Sequence, residues 1–423
     1  MNVPPQENKM SWRRWVGVLV LMIIVSIAYM DRINVSLMIT NGDFLHVFGL
    51  ENDRVAQGRL VTVFLFGYGI SAWFLTPLFE SRWDVRTGLL VSIMLWVIFT
   101  GASALTAGVL LLLGWRALLG IAEGPLFSLK TMYVSENFAP DQVGKPNAVS
   151  SFGVSLGLAA GYPIITLLMA QFGWRDSLWA LAALNLAIGL PLVMLFIRPS
   201  GTARASIAHG GIAGLVRSAL GTPHLAPILL IEIATLSYLW GTGTWLPAYL
   251  REAHHFSLSQ MSIFAGLPFV VGLLMQFVGG AIIDRIPTRM VPALFIFGGI
   301  ATALSVTTAI LVTEPYVSAS ALVLAGAFWG IQAPAIPTMV QHVARPGTVG
   351  STYGLVNGIG NLVSALMPIL MGAAMTIHST ENLGSGFWLI VGSQLLTVVS
   401  GAWLLRRLSR ETISVGDLQY RPG

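Results

Sequence analysis

The sequence predicts an all-α membrane protein of twelve transmembrane helices in two pseudo-symmetric six-helix bundles. Three observations carry that prediction. The chain of 423 residues is 55% hydrophobic and only 10% charged, with a mean hydropathy of +0.76, far outside the range of soluble domains. Apolar stretches of the ~20 residues needed to cross a bilayer recur from end to end. A polar interruption, Pro199 to His224, separates six of them from six, and a short basic turn recurs at the same place in each half.

In order, the predicted spans are 15–38, 58–80, 87–107, 110–134, 147–170 and 178–198, then 226–248, 261–283, 291–312, 319–342, 349–376 and 387–405. Residues 1–198 are the expected N-terminal bundle, 199–225 a cytoplasmic linker, and 226–423 the C-terminal bundle with a short tail. The first span lacks a small-residue cleavage site, so it is expected to remain in the mature protein. With the N-terminus inside, Arg13, Arg14, Arg82, Arg86, Lys145, Arg198, Arg285, Arg289, Arg406 and Arg407 fall on the cytoplasmic side. Arg54, Arg59, Arg175 and Arg251 fall outside. That asymmetry predicts two cytoplasmic termini. It also accounts for the net charge of +5 without a nucleic-acid partner. Cysteine is absent, which excludes disulfides, thiolate metal sites and cysteine nucleophiles.

Charges inside the spans are where function is expected. Val16 to Met30 runs straight into Asp31 and Arg32 and then continues apolar. An ionised side chain at that depth costs at least ~2.5–3.5 kcal/mol, so such residues face a watered cavity and take a partner. Arg116 and Glu123 answer them in the fourth span. Their spacing of seven returns to within ~20° of one helix face, about 10.5 Å further on. Lys130 stands seven residues beyond Glu123. It either adds a cation to the cavity or snorkels to the cytoplasmic interface. Tyr29 and Tyr68 are candidate hydroxyl donors.

The second half has almost no charge within its spans. Glu232, near the cytoplasmic start of span seven, is expected to be wetted there. Polar specificity then falls to Asn357 and Asn361, one turn apart on one face; helix packing is the rival reading. Trp245 is a candidate stacking platform or a core residue, and Gln276, Gln332 and Ser364 are weaker candidates. Gly153, Gly157 and Gly161 make a small-residue stripe suited to tight packing or to helix rocking.

The basic turn Gly280-Ala-Ile-Ile-Asp284-Arg285-Ile-Pro-Thr-Arg289 resembles the repeated loop signature of the major facilitator superfamily. The first copy, Pro77 to Arg86, keeps Arg82 and Arg86 but has Ser81 in place of the aspartate. The resemblance implies two bundles with a midplane substrate site and a gating role for Asp284, Arg285, Arg289, Arg82 and Arg86, with Glu80 or Asp84 as stand-ins. Narrower matches are Tyr29-Met-Asp31-Arg32-Ile-Asn34, Arg116-Ala-Leu-Leu-Gly120-Ile-Ala-Glu123-Gly124-Pro125-Leu-Phe127, Trp245-Leu-Pro247-Ala-Tyr249-Leu250 and Asn357-Gly-Ile-Gly360-Asn361. They are similar to elements of the anion:cation symporter family of bacterial organic-anion transporters. Departures are Gly124 for alanine, Ser128 for proline, Lys130, and a loop at 137–145 without the family's Trp-Phe-Pro pattern.

That resemblance implies proton-coupled uptake of a small organic anion across the bacterial plasma membrane by a monomer, with no enzymatic chemistry, cofactor or metal. It implies Arg32 as the substrate clamp, Asp31 and Glu123 as proton carriers, and Arg116 as partner to the acids. Sodium is the alternative coupling ion. A drug:proton antiporter and a transporter-like anion sensor are the rival readings. The cavity-face charges disfavour the first, and the short sequence after Leu405 disfavours the second.

Overall fold

The computed structural model describes residues 6–75, 83–138, 144–199, 217, 219–283, 285–344, 349–377 and 383–419. These are helical throughout apart from turns. Eleven helices among the described residues are long and apolar enough to cross a membrane. The remaining predicted span, 110–134, is present as two helices that meet at a proline.

In chain order the helices are α1 (Gln6–Met38), α2 (Gly42–Phe48), α3 (Arg54–Phe74), α4 (Val85–Ala104), α5 (Val109–Glu123), α6 (Leu126–Asn137), α7 (Gly144–Phe172), α8 (Trp174–Leu184) and α9 (Leu190–Phe196). Then follow α10 (Leu225–Ala248), α11 (Leu258–Ile283), α12 (Pro292–Leu311), α13 (Pro315–Gln332), α14 (Ala335–Val343), α15 (Val349–Ser364), α16 (Met367–Ile377) and α17 (Gly384–Gln419). Polar side chains start several of them. Asp53, Asp84 and Glu314 accept from the backbone N–H groups of Ala56, Thr87 and Val317 at 2.8, 2.9 and 2.7 Å, satisfying donors that a first turn leaves open. Asp84 is thereby committed to its own helix.

Two breaks are built alike. α5 gives way to α6 at Gly124-Pro125, and α13 to α14 at Ala333-Pro334, because proline has no N–H to continue the helical ladder. Glu123 and Gln332 are therefore equivalent residues, each the last of a helix before a proline. The first half carries a carboxylate where the second carries an amide.

By compactness the chain divides into two units. One comprises Met1–Ser206, Gly243–Arg251 and Phe256–Gly266; the other comprises Ile207–Thr242, Glu252–His255 and Leu267–Gly423. In the first unit α1 packs on α7, α3 on α5, and α4 on α8. Glycines set these approaches. A Cβ on Gly153, Gly157 or Gly161 would strike Met22, Ser26 or Ile33 of α1, so the small-residue stripe is the α1–α7 packing seam. On α5, a Cβ on Gly120 would collide with the Phe64 carbonyl of α3, whereas one on Gly114 meets nothing within 4 Å. In the second unit α12 packs on α13 and α17, around a core that includes Ile228, Ile231, Leu294, Phe295, Met339 and Leu404.

Gly120→Ala is expected to lower the melting temperature, by the ~1–3 kcal/mol typical of overpacking. Gly114→Ala should raise it slightly, since glycine costs ~0.5–1 kcal/mol inside a helix. Thermal unfolding of both variants in detergent separates backbone crowding from a general glycine effect.

Candidate functional site

Residues from four helices of the first unit converge on Arg32. α1 contributes Tyr29, Asp31 and Arg32; α3 contributes Phe64 and Tyr68; α4 contributes Thr100; α5 contributes Arg116 and Glu123. The glycine seam between α3 and α5 brings their backbones close enough for the two aromatic rings and the two charges to share one volume.

Arg32 Nε donates to Glu123 Oε2 at 2.7 Å, with both side chains almost completely buried. The guanidinium also lies over three rings: its Cζ is 4.4 Å from the centroid of Tyr29, 4.6 Å from that of Tyr68 and 5.6 Å from that of Phe64. Aromatic faces hold a cation without neutralising it. Arg32 is thus fixed in orientation while its charge is balanced by one carboxylate.

Phe64 serves a second cation as well. Arg116 Cζ stands 4.8 Å from its centroid, so one ring separates the two guanidinium groups. Arg116 is 3% exposed, feels the charges of Asp31 and Glu123, and yet its Nε and Nη2 have no hydrogen-bond partner. Asp31 is held elsewhere, accepting from Thr100 Oγ1 at 2.6 Å through Oδ2, while Oδ1 is unpartnered. Glu123 Oε1 is likewise unpartnered. Buried, unfilled donors and acceptors of this kind are costly.

Lys130 lies on α6, buried at 5% exposure. Its Nζ donates to Ser151 Oγ at 2.7 Å and sits 4.7 Å from the Phe127 centroid. Phe127 in turn meets Tyr29 edge to face at 6.4 Å. The ammonium therefore points into the unit instead of snorkelling outward. Counting Asp31, Glu123, Arg32, Arg116 and Lys130, formal charge in the first unit's interior favours the cations by one.

The second unit holds the other predicted polar residues. Asn357 Nδ2 donates to Glu232 Oε1 at 3.1 Å, Asn361 Nδ2 donates to Asn357 Oδ1 at 3.2 Å and to its main-chain carbonyl at 2.9 Å, and Trp240 Nε1 donates to Asn361 Oδ1 at 3.1 Å. Glu232, expected to be wetted, is only 4% exposed. It lies two turns into α10, and α15 covers it with Gly360, where any Cβ would touch Glu232 Cγ. Trp245, which falls in the Gly243–Arg251 segment of the first unit, is fully buried. Gln332 Nε2 reaches Thr302 Oγ1 at 3.5 Å.

Of the predicted gating residues, Arg82 and Asp284 lie outside the described residues, as does Glu80. Arg86 donates through Nη2 to the Met194 carbonyl at 3.0 Å, and Arg285 through Nη1 to that of Ala281 at 3.3 Å. Arg289 is exposed in a single 3₁₀ turn. Phe64, Thr100 and Ser151 went unremarked in the sequence. Phe64 alone left a trace there, four residues before Tyr68 on the same helix face. Among the described residues, no group of three or more His, Asp or Glu could hold a metal.

Helices long and apolar enough to cross a membrane, with opposed charges paired in their interior at Arg32 and Glu123, have the form of a membrane carrier. The model of the Major Facilitator Superfamily matches residues 21–368, and the chain belongs to that superfamily. A hexuronate transporter of Bacillus subtilis (strain 168) is 27% identical over 79% of this chain and 82% of its own length. A probable galactarate/D-glucarate transporter of the same organism is 24% identical over 96% and 94%. Among solved structures, a bacterial homologue of the human lysosomal transporter Spinster, inward-facing and unoccupied, superposes with a TM-score of 0.75 at 16% identity, covering 94% of this chain and 97% of that one. The protein is a multi-pass transporter, not an enzyme.

Proposed function

We propose that the protein is a proton-coupled importer of a small organic anion in the bacterial plasma membrane, working by alternating access. The observation that carries this reading is the Arg32–Glu123 ion pair at 2.7 Å beside the unpartnered nitrogens of Arg116. An arginine stays charged even when desolvated and can grip a carboxylate through two parallel bonds. Glu123 is the group that occupies it when no substrate does.

A proton and an anion then act as one load. Protonating Glu123 removes the counter-ion of Arg32. The substrate carboxylate takes its place, with Arg116 supplying further donors. The interior, cationic by one before the exchange, gains one positive charge from the proton and one negative charge from the anion. Its net charge is unchanged across the exchange, which permits closure around the load. Release of the proton lets Glu123 reclaim Arg32 and expel the anion. Asp31, held by Thr100, is a second acid within reach of the same cations. The named substrates of the relatives, a hexuronate and galactarate or glucarate, support an anion of this size for the present chain.

Thermal stabilisation of the purified carrier against sugar acids, dicarboxylates, aromatic acids and sulfonates, at acidic and alkaline pH, tests this directly. One anion class should raise the melting temperature, more at acidic pH, since a ligand that binds only the folded state stabilises it in proportion to occupancy. Shifts with lipophilic cations in place of anions would overturn the importer reading in favour of drug export.

A further inference from the structure

Glu232 is a buried carboxylate that the scheme above does not use. An ionised carboxylate offers about four lone-pair sites to donors. Glu232 accepts one hydrogen bond, from the neutral amide of Asn357. No described cation pairs with it. The elements around it explain why. α12 carries no titratable residue, α13 only Tyr316 in its first turn, and α15 only Tyr353, both of them exposed. α14 brings His342, which is exposed, and the basic residues Arg406, Arg407 and Arg410 belong to the far end of α17. On α10 itself, Tyr238 stacks on Trp329 at 5.6 Å.

The hydrogen-bond chain reaching it has one sense. The Trp240 indole can only donate, so Asn361 must turn its carbonyl oxygen toward that ring and its amide nitrogen toward Asn357. The second bond of Asn361, to the main-chain carbonyl of Asn357, fixes the same orientation. Asn357 is then bound to present its own nitrogen to Glu232. The chain thus delivers a single neutral donor to the anion, and no described cation balances the charge that an ionised Glu232 would carry at 4% exposure. Protonation removes that charge at once. The amide bond survives it, because Oε1 still accepts while Oε2 carries the proton.

We propose that Glu232 is a second proton-binding site of the carrier, held in the second unit by Asn357, and that it loads and unloads one proton per cycle in addition to the one on Glu123. The proton comes from bulk water when water reaches the carboxylate and returns to water on deprotonation, so no other reactant is consumed. This extends the proton-coupled reading above, and the two can fail separately.

Infrared titration of the full-length carrier in lipid vesicles reads the carboxyl C=O stretch, which differs between neutral and ionised acids. Glu232→Gln is expected to remove one protonated-carboxyl component that Glu123→Gln leaves in place. Asn357→Leu, which deletes the single donor to the anion, is expected to keep that component and move its midpoint to higher pH; this variant also serves if Glu232→Gln does not fold. In transport, the proton-to-substrate ratio obtained from reversal potentials should fall by one in Glu232→Gln. Spectra of Glu232→Gln that superimpose on wild type at every pH, or an unmoved midpoint in Asn357→Leu, overturn the proposal. A titrating Glu232 in a carrier whose uptake ignores the proton gradient would keep Glu232 as a proton-binding site but overturn its one-proton-per-cycle role together with the coupling reading; gradient-driven uptake with an unchanged proton-to-substrate ratio in Glu232→Gln would overturn that role alone.

Discussion

Arg32→Ala is expected to abolish uptake and to eliminate the thermal shift produced by the substrate, while the protein remains in the membrane fraction at normal levels. Removing one partner of a buried charge pair at a binding site costs about 2–5 kcal/mol, or roughly 30- to 5,000-fold in affinity. Part of that cost is the stranded partner, Glu123, left buried without a cation. Protonation relieves it, so the single variant should unfold at lower temperature at alkaline pH than at acidic pH. Arg32→Ala combined with Glu123→Gln should recover thermal stability at alkaline pH without recovering uptake. That contrast separates loss of substrate binding from loss of fold. Arg32→Lys keeps the charge but not the two-pronged geometry, and an intermediate affinity is expected. Uptake by Arg32→Ala at anything near the wild-type rate would remove Arg32 as the substrate clamp and point to Arg116, whose Nε and Nη2 are unpartnered.

The helices and the charged positions were legible in the sequence because each depends on a local pattern: apolar length, a proline after Gly124, charges inside otherwise apolar runs. Which charge meets which was not legible. Helical spacing placed Arg116 and Glu123 on one face of span four, but it could not tell that Arg32 takes Glu123 while Asp31 turns to Thr100, 69 positions away. A threonine in an apolar helix carries no signature of such a role. Lys130 is buried and not interfacial for a similar reason. Its environment is made by Phe127 one turn before it and by Ser151 from another helix. Glu232 is the clearest miss. Its position two turns from a helix start suggested full exposure to water, and what buries most of its side chain is the close approach allowed by Gly360, 128 residues further along the chain. Burial created by an absent atom on a distant helix leaves no mark near the residue it buries.

Glu123→Gln is the variant expected to split binding from energy coupling. Glutamine has the shape of a neutral glutamic acid and cannot ionise, so Arg32 loses its competing counter-ion at every pH. In the wild type, substrate binding should weaken as pH rises, because ionised Glu123 reclaims the guanidinium. In Glu123→Gln that dependence should flatten, with affinity at alkaline pH close to the wild-type value in acid. Counter-flow of labelled against unlabelled substrate needs no net proton movement and should persist. Concentrative uptake driven by an imposed proton gradient should fall to what the one proton on Glu232 can drive, because no proton now travels on the group that gates Arg32, and combining Glu123→Gln with Glu232→Gln should bring it to the level seen with a protonophore. Were Glu123→Gln to accumulate substrate in response to the gradient as wild type does, Glu123 would be a structural counter-ion, and the first unit's coupling proton, the one in addition to that on Glu232, would have to ride on Asp31, whose Oδ1 is unpartnered beside the same cations. Asp31→Asn, in which the bond from Thr100 can persist to an amide oxygen, then becomes the variant in which gradient-driven uptake falls to what Glu232 can drive. The pair of substitutions therefore assigns the first unit's proton to one acid or the other by which of them leaves exchange intact while lowering accumulation.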